Sequence, residues 1–125
     1  MTACLLLTMA EKLSSRQQAQ LAFLQQLPPK FQRINNIVEQ MSSLRADESA
    51  VRSLGRLLDE IKGNASVLSL SGMAETAGIM GTMLRRGGGL QLKVRGLREL
   101  LVSLKTNYDA ALRSASTPEG EIKET

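Results

Sequence analysis

Asp59 is the side chain best placed to do chemistry, standing in helical register with Arg52, Arg56 and Lys62 at spacings of four, three and three. Residues three or four apart share one face of a helix, so this spacing surrounds a carboxylate with cations. A carboxylate accepts a phosphoryl group only beside a bound Mg²⁺ and further acidic ligands. The one neighbouring carboxylate, Glu60, points about 100° away from Asp59 on a helix. Asp59 is therefore not expected to carry phosphate. It is expected either to present negative charge to a partner or to be a solvated residue paired with Arg56 and Lys62. Other chemistries lack their residues. With no histidine and a single cysteine, Cys4, the chain offers no metal site of ordinary spacing and no His-based triad. Gly87-Gly88-Gly89 has no strand before it and no Gly-Lys-Ser/Thr, so it is not a phosphate-binding loop. No catalytic residue, cofactor or metal is expected.

The same helical stripe continues through Gly55, Gly63 and Ser66, giving Arg52, Gly55, Arg56, Asp59, Lys62, Gly63 and Ser66 on the outer face. Each helical glycine costs about 1 kcal/mol relative to alanine, so two on one exposed stripe oppose stability. A partner seated against a bare backbone accounts for both. The alternatives are that Lys62-Gly63 is a neutral surface pair and that Gly55 faces a neighbouring helix.

The run Asp59-Glu60-Ile61-Lys62-Gly63-Asn64-Ala65 resembles the signature helix of histidine phosphotransfer (HPt) domains, which reads His-x-x-Lys-Gly-x-Ala. Asp59 takes the place of the phosphoryl-carrying histidine. Ala65 to Leu70 resembles the family's Ala-Gly-apolar-apolar-Gly-apolar passage, with Ser66 and Ser69 in place of its glycines. Met73-Ala-Glu-Thr-Ala77 is similar to the family's Leu-x-x-Leu-Ala opening of the next helix. The resemblance covers about residues 30–113. It implies an antiparallel up-down four-helix bundle whose lysine lies near the phosphoryl group. It also implies that the glycine one turn past the histidine leaves room for a response-regulator receiver domain.

The elements that must position this stripe follow from apolar spacing. A first helix is expected over roughly 3–27, with Leu21, Leu24 and Leu27 in register and Pro28-Pro29 breaking the chain after it. Pro29 suits the opening of a second helix, which carries Phe31, Ile34, Val38, Met41 and Leu44 on its inner face. Asp47 is a good N-cap for a third helix over about 48–68, with Leu54, Leu58, Ile61, Ala65 and Leu68 inward. Ser71 is expected to cap a fourth helix, with Glu75 in its first turn. Met73, Ala77, Met80 and Leu84 face inward there, and the glycine triplet ends it. Gly78 and Gly81 suit close helix packing. Met73, Met80 and Met83 suit core filling, with an adaptable binding groove as the alternative. The fifth helix repeats Leu90, Val94, Leu97, Leu101, Leu104, Tyr108 and Leu112 without interruption. No segment reads as a strand. The fold class is all-α, a single HPt-like domain over 1–114 with bundle helices from about 29, an additional N-terminal helix, and a disordered polar tail at 115–125.

Phe23, Phe31 and Tyr108 are the only aromatics, so the core must be aliphatic. The net charge of +4 includes a loose basic cluster of Arg85, Arg86, Lys93, Arg95 and Arg98. Without aromatic stacking partners, that cluster reads as a solvated helix face rather than a nucleic-acid surface. Residues 4–10 lack the basic flank of a signal peptide, and no stretch approaches the roughly 20 apolar residues of a membrane span. With one cysteine and no span, a cytoplasmic protein is expected. The functional expectation is a non-catalytic, histidine-less HPt-like module of two-component signalling. It would dock a receiver domain or a histidine kinase, with no nucleic-acid partner and no membrane insertion. The rival expectation is a helical adaptor or oligomerisation domain. Phosphotransfer through Asp59 is a third, disfavoured by the missing acidic pocket. Oligomeric state is open at this level.

Overall fold

The computed structural model describes residues 13–118 and is all-helical, with no strand among the described residues. Among the described residues five helices follow one another: α1 (Ser15–Gln25), α2 (Leu27–Ser42), α3 (Glu48–Val67), α4 (Ser71–Arg85) and α5 (Leu90–Ser116). Helix α3 packs against α4, α4 against α5, α5 against α2, and α2 against α3. These contacts close a ring of four helices, a helical bundle, while α1 packs on α5 and α2.

The core forms where the sequence spacing placed it. Ile34, Val38, Leu54, Leu58, Ile61, Ala65, Met73, Ala77, Met80, Val94, Leu97 and Leu104 are almost wholly withdrawn from solvent. Phe31 and Tyr108 meet edge to face with centroids 5.3 Å apart, joining α2 to α5. Leu44 departs from the expected inner face. Its backbone takes φ 60, and the side chain is 76% exposed. The left-handed residue lets Arg45 N donate to Gln40 O at 2.8 Å, a hydrogen-bond pattern that ends a helix and turns the chain outward.

Helix starts also moved relative to expectation. The break between α1 and α2 falls at Gln26, and Pro28 and Pro29 sit inside the first turn of α2, where no intrahelical N–H is required of them. Asp47 caps α3 as expected, accepting from Ala50 N at 2.8 Å. Ser71 does not cap α4. Leu70 holds the cap position without a side-chain bond, Ser71 is the first helical residue, and Glu75 lies beyond the first turn. The dipole argument for Glu75 therefore lapses, because that effect fades past the first turn.

Both ends of the chain differ from the expected outline. Among the described residues, Ser15–Gln25 of the expected first helix forms α1, Leu13 and Ser14 stand outside it, and residues 3–12 lie outside the described residues. Helix α5 continues through Ser116, with Ala115 buried, so Ala115 and Ser116 do not belong to a polar tail. The reason is Gln17, which is itself buried. Its Nε2 donates to Ser114 O at 3.2 Å and Thr117 O at 2.6 Å. The same side chain closes the capping box of α1, its Oε1 accepting from Ser14 N at 3.0 Å. Residues 119–125 of the expected tail lie outside the described residues.

Candidate docking surface

The outer stripe of α3 lies along its seam with α4. Arg52, Arg56, Asp59, Lys62, Gly63 and Ser66 are exposed, as expected, but Gly55 is buried. A methyl group at Gly55 would stand 3.7 Å from Leu84 Cδ2 and 3.3 Å from Arg85 Nη2. Gly55 therefore faces the neighbouring helix α4, the alternative its position left open. At Gly63, by contrast, an added methyl would meet nothing within 4 Å. Gly63 is alone in this among the helical glycines of the described residues.

Asp59 is bound, though not by the cations of its own helix. Arg85 Nη2 donates to Asp59 Oδ2 at 2.6 Å, and no ion pair joins Asp59 to Arg56 or Lys62 among the described residues. Both side chains of the pair are 55% exposed, so the bond is screened by water and salt. Glu60 points elsewhere, accepting from Lys30 Nζ of α2 at 2.9 Å. The two adjacent carboxylates are thus committed to opposite sides of α3. No group of three or more His, Cys, Asp or Glu residues gathers as a metal site among the described residues.

Glycines of α4 make this arrangement possible. Gly78 lies under the Lys62 stem, 3.4 Å from Cδ to an added methyl, and Gly81 lies under Arg85, 3.2 Å from Nη1. Expected only to let helices approach, they instead form a shelf for two long cationic side chains. Arg85 also reaches Gly55 O at 3.5 Å, so its guanidinium spans the seam from backbone to carboxylate. Two hollows flank it. One of about 440 Å³ is lined by Lys62, Glu75, Gly78, Ile79, Met83 and Arg86 among others, and Ile79 there is 46% exposed. The other, about 500 Å³, is lined by Val51, Arg52, Gly55, Arg56, Leu84 and Arg85.

Arg85 belongs to this surface and not to the basic cluster expected with Arg98: Arg98 makes a two-pronged bond to Glu39 of α2 at 3.0 and 2.9 Å, whereas Arg85 turns to α3. The basic cluster is thus divided between two neighbouring helices. The available signal was the Gly78–Gly81 spacing, which marks a shelf one turn long and three residues wide, ending four residues before Arg85. No described helix is long and apolar enough to cross a membrane. Comparison of the chain with protein-family models, with curated proteins and with solved structures returns no match.

Proposed function

We propose that this chain is a histidine-less HPt-like binding module of two-component signalling, docking a receiver domain or a histidine kinase on the α3–α4 seam without carrying phosphate. The observation that carries the reading is Gly63: a glycine in the interior of a long helix, exposed, with open space above it. Such a residue lowers helix stability and makes no compensating internal contact. Clearance for a partner's backbone supplies the reason to keep it. Lys62 beside it offers positive charge to the acidic site of a receiver domain.

The resemblance gains support at Ser69. Where the HPt pattern has its second glycine, Ser69 takes φ 62, the left-handed conformation that glycine adopts most easily. Short connections between helices that pack in a ring favour the antiparallel up-down arrangement, with α1 as the additional N-terminal helix. The Arg85 bond to Asp59 and the absence of a nearby second carboxylate argue against phosphotransfer through Asp59. They also favour one rival. An Asp59 charge already answered by Arg85 is a weaker mimic of a phosphorylated histidine, as expected of a helical adaptor that has left phosphotransfer.

The test uses purified receiver domains and histidine kinases from the source organism. At least one should bind, and Gly63→Gln should weaken it by tenfold or more, roughly the loss of 1.4 kcal/mol, while folding is unharmed. No stable label should transfer from a phosphorylated receiver. Hydroxylamine-sensitive label that disappears in Asp59→Asn would restore the catalytic reading. Affinity unchanged by Gly63→Gln would leave the adaptor reading in its place.

A further inference from the structure

We propose that the cleft at Gly55, between the first half of α3 and the end of α4, binds an acidic peptide segment that carries one aliphatic side chain. The cleft has room, at about 500 Å³, and two kinds of surface. Its floor is apolar: Leu84 is buried, Val51 is half-buried, and Gly55, also buried, lies beside them beneath the Arg85 guanidinium. Its walls are the guanidinium groups of Arg52, Arg56 and Arg85.

These three arginines are incompletely answered within the chain. Arg85 bonds Asp59 closely. Arg52 makes a long ion pair to Glu48 Oε2 at 3.9 Å and donates from Nε to Glu48 O at 3.5 Å, with both side chains largely in water at 71% and 95% exposure. Arg56 makes no ion pair among the described residues. The cleft therefore has excess positive charge over an apolar floor. Guanidinium groups bind carboxylates through paired N–H donors, which gives acidic side chains a directional partner and not only a counter-charge. An aliphatic residue of the segment would lie against Val51 and Leu84 while flanking carboxylates reach Arg52 and Arg56. No aromatic side chain lines the cleft, so nothing there stacks a nucleobase, and a peptide fits better than a single-stranded nucleic acid.

The site is separate from Gly63. Gly55 lies eight residues earlier on α3, about 12 Å along the helix axis. The inference thus stands on the geometry of the cleft and does not require the phosphorelay reading.

The probe is a fluorescein-labelled peptide with the sequence Glu-Asp-Leu-Glu-Glu, titrated with the full chain and followed by anisotropy. Saturable binding at low salt that weakens at high salt is expected. The double variant Arg52→Gln/Arg56→Gln should weaken it about tenfold. A peptide with serine for leucine should bind several-fold more weakly. Gly55→Leu should exclude the peptide by filling the floor, and circular dichroism reports whether that variant keeps its helices. Gly63→Gln should leave peptide affinity unchanged. The proposal is overturned by an absence of saturable binding, by equal affinity for the serine peptide or a single-stranded oligonucleotide, or by indifference to the double arginine substitution. Peptide binding by a chain that engages no receiver or kinase would remove the phosphorelay reading and leave this one standing.

Discussion

Helix α4 has two seams, and both are built on glycine, yet they are filled by different chemistry. Toward α5, Gly72 lies against the Asn107 side chain, whose Nδ2 donates to Thr76 Oγ1 at 2.9 Å and Gly72 O at 3.2 Å. Thr76 Oγ1 in turn donates to Gly72 O at 2.9 Å, and Gly96 of α5 makes room for Met83. That seam closes on itself with neutral, mutually satisfied groups. Toward α3, Gly55, Gly78 and Gly81 make room for Arg85 and Lys62, whose charged heads remain in water. Around Thr76 and Asn107 the inner seam is closed by the chain, whereas the outer one leaves charge, two larger hollows and Ile79 at the surface. A helical glycine is thus no sign of a docking site by itself. What stands over it decides, and over Gly63 there is nothing.

Substituting glycines in turn would break or sharpen that contrast. The largest effect is expected in the inner seam. At Gly96 even a methyl group would overlap the Met83 sulfur, so Gly96→Leu overpacks the α4–α5 contact and should lower stability by about 1–3 kcal/mol in denaturant unfolding. A stability loss near zero would show that Met83 swings freely into solvent and that this seam is looser than its geometry. On the outer surface the sign reverses. Gly63→Ala should raise stability by about 1 kcal/mol, because alanine is the better helix former and meets no neighbour. A lowered melting temperature would mean that Gly63 packs internally, and the docking surface would lose its central residue. The smallest effect belongs to the charges. A double-mutant cycle of Asp59→Asn and Arg85→Gln should give a coupling of about 0.2–1 kcal/mol that shrinks with added salt. A larger, salt-insensitive coupling would show that the pair holds α3 to α4 and is not free to exchange Arg85 for a partner's carboxylate.

Much of the bundle was legible from apolar spacing. The inner faces of α3 and α4, from Leu54 to Ala65 and from Met73 to Leu84, are buried as their register requires. The misreadings cluster at helix ends. Leu44, Gln26 and Leu70 each end or begin a helix through backbone conformation, and neither leucine belongs to a residue type that signals such a role. The extension of α5 was illegible for a different reason. It depends on Gln17, a residue 97 positions before Ser114 whose amide only the folded chain brings to that helix end.

Within the candidate site, local sequence determined that Asp59, Lys62 and Gly63 share a helix face and that Glu60 leaves it. Helical periodicity alone dictates the direction of each side chain, and Lys30 receives Glu60 on the far side accordingly. The identity of the partner to Asp59 was a tertiary decision. Arg56 and Lys62 are nearer in sequence, yet Arg85, 26 residues away, takes the carboxylate because Gly55 and Gly81 let its guanidinium lie in the seam. The same packing of α4 on α3 buries Gly55 and leaves Gly63 bare. Two glycines on one stripe receive opposite environments because Gly63, eight residues on, stands about 80° further round the helix than Gly55 and away from α4.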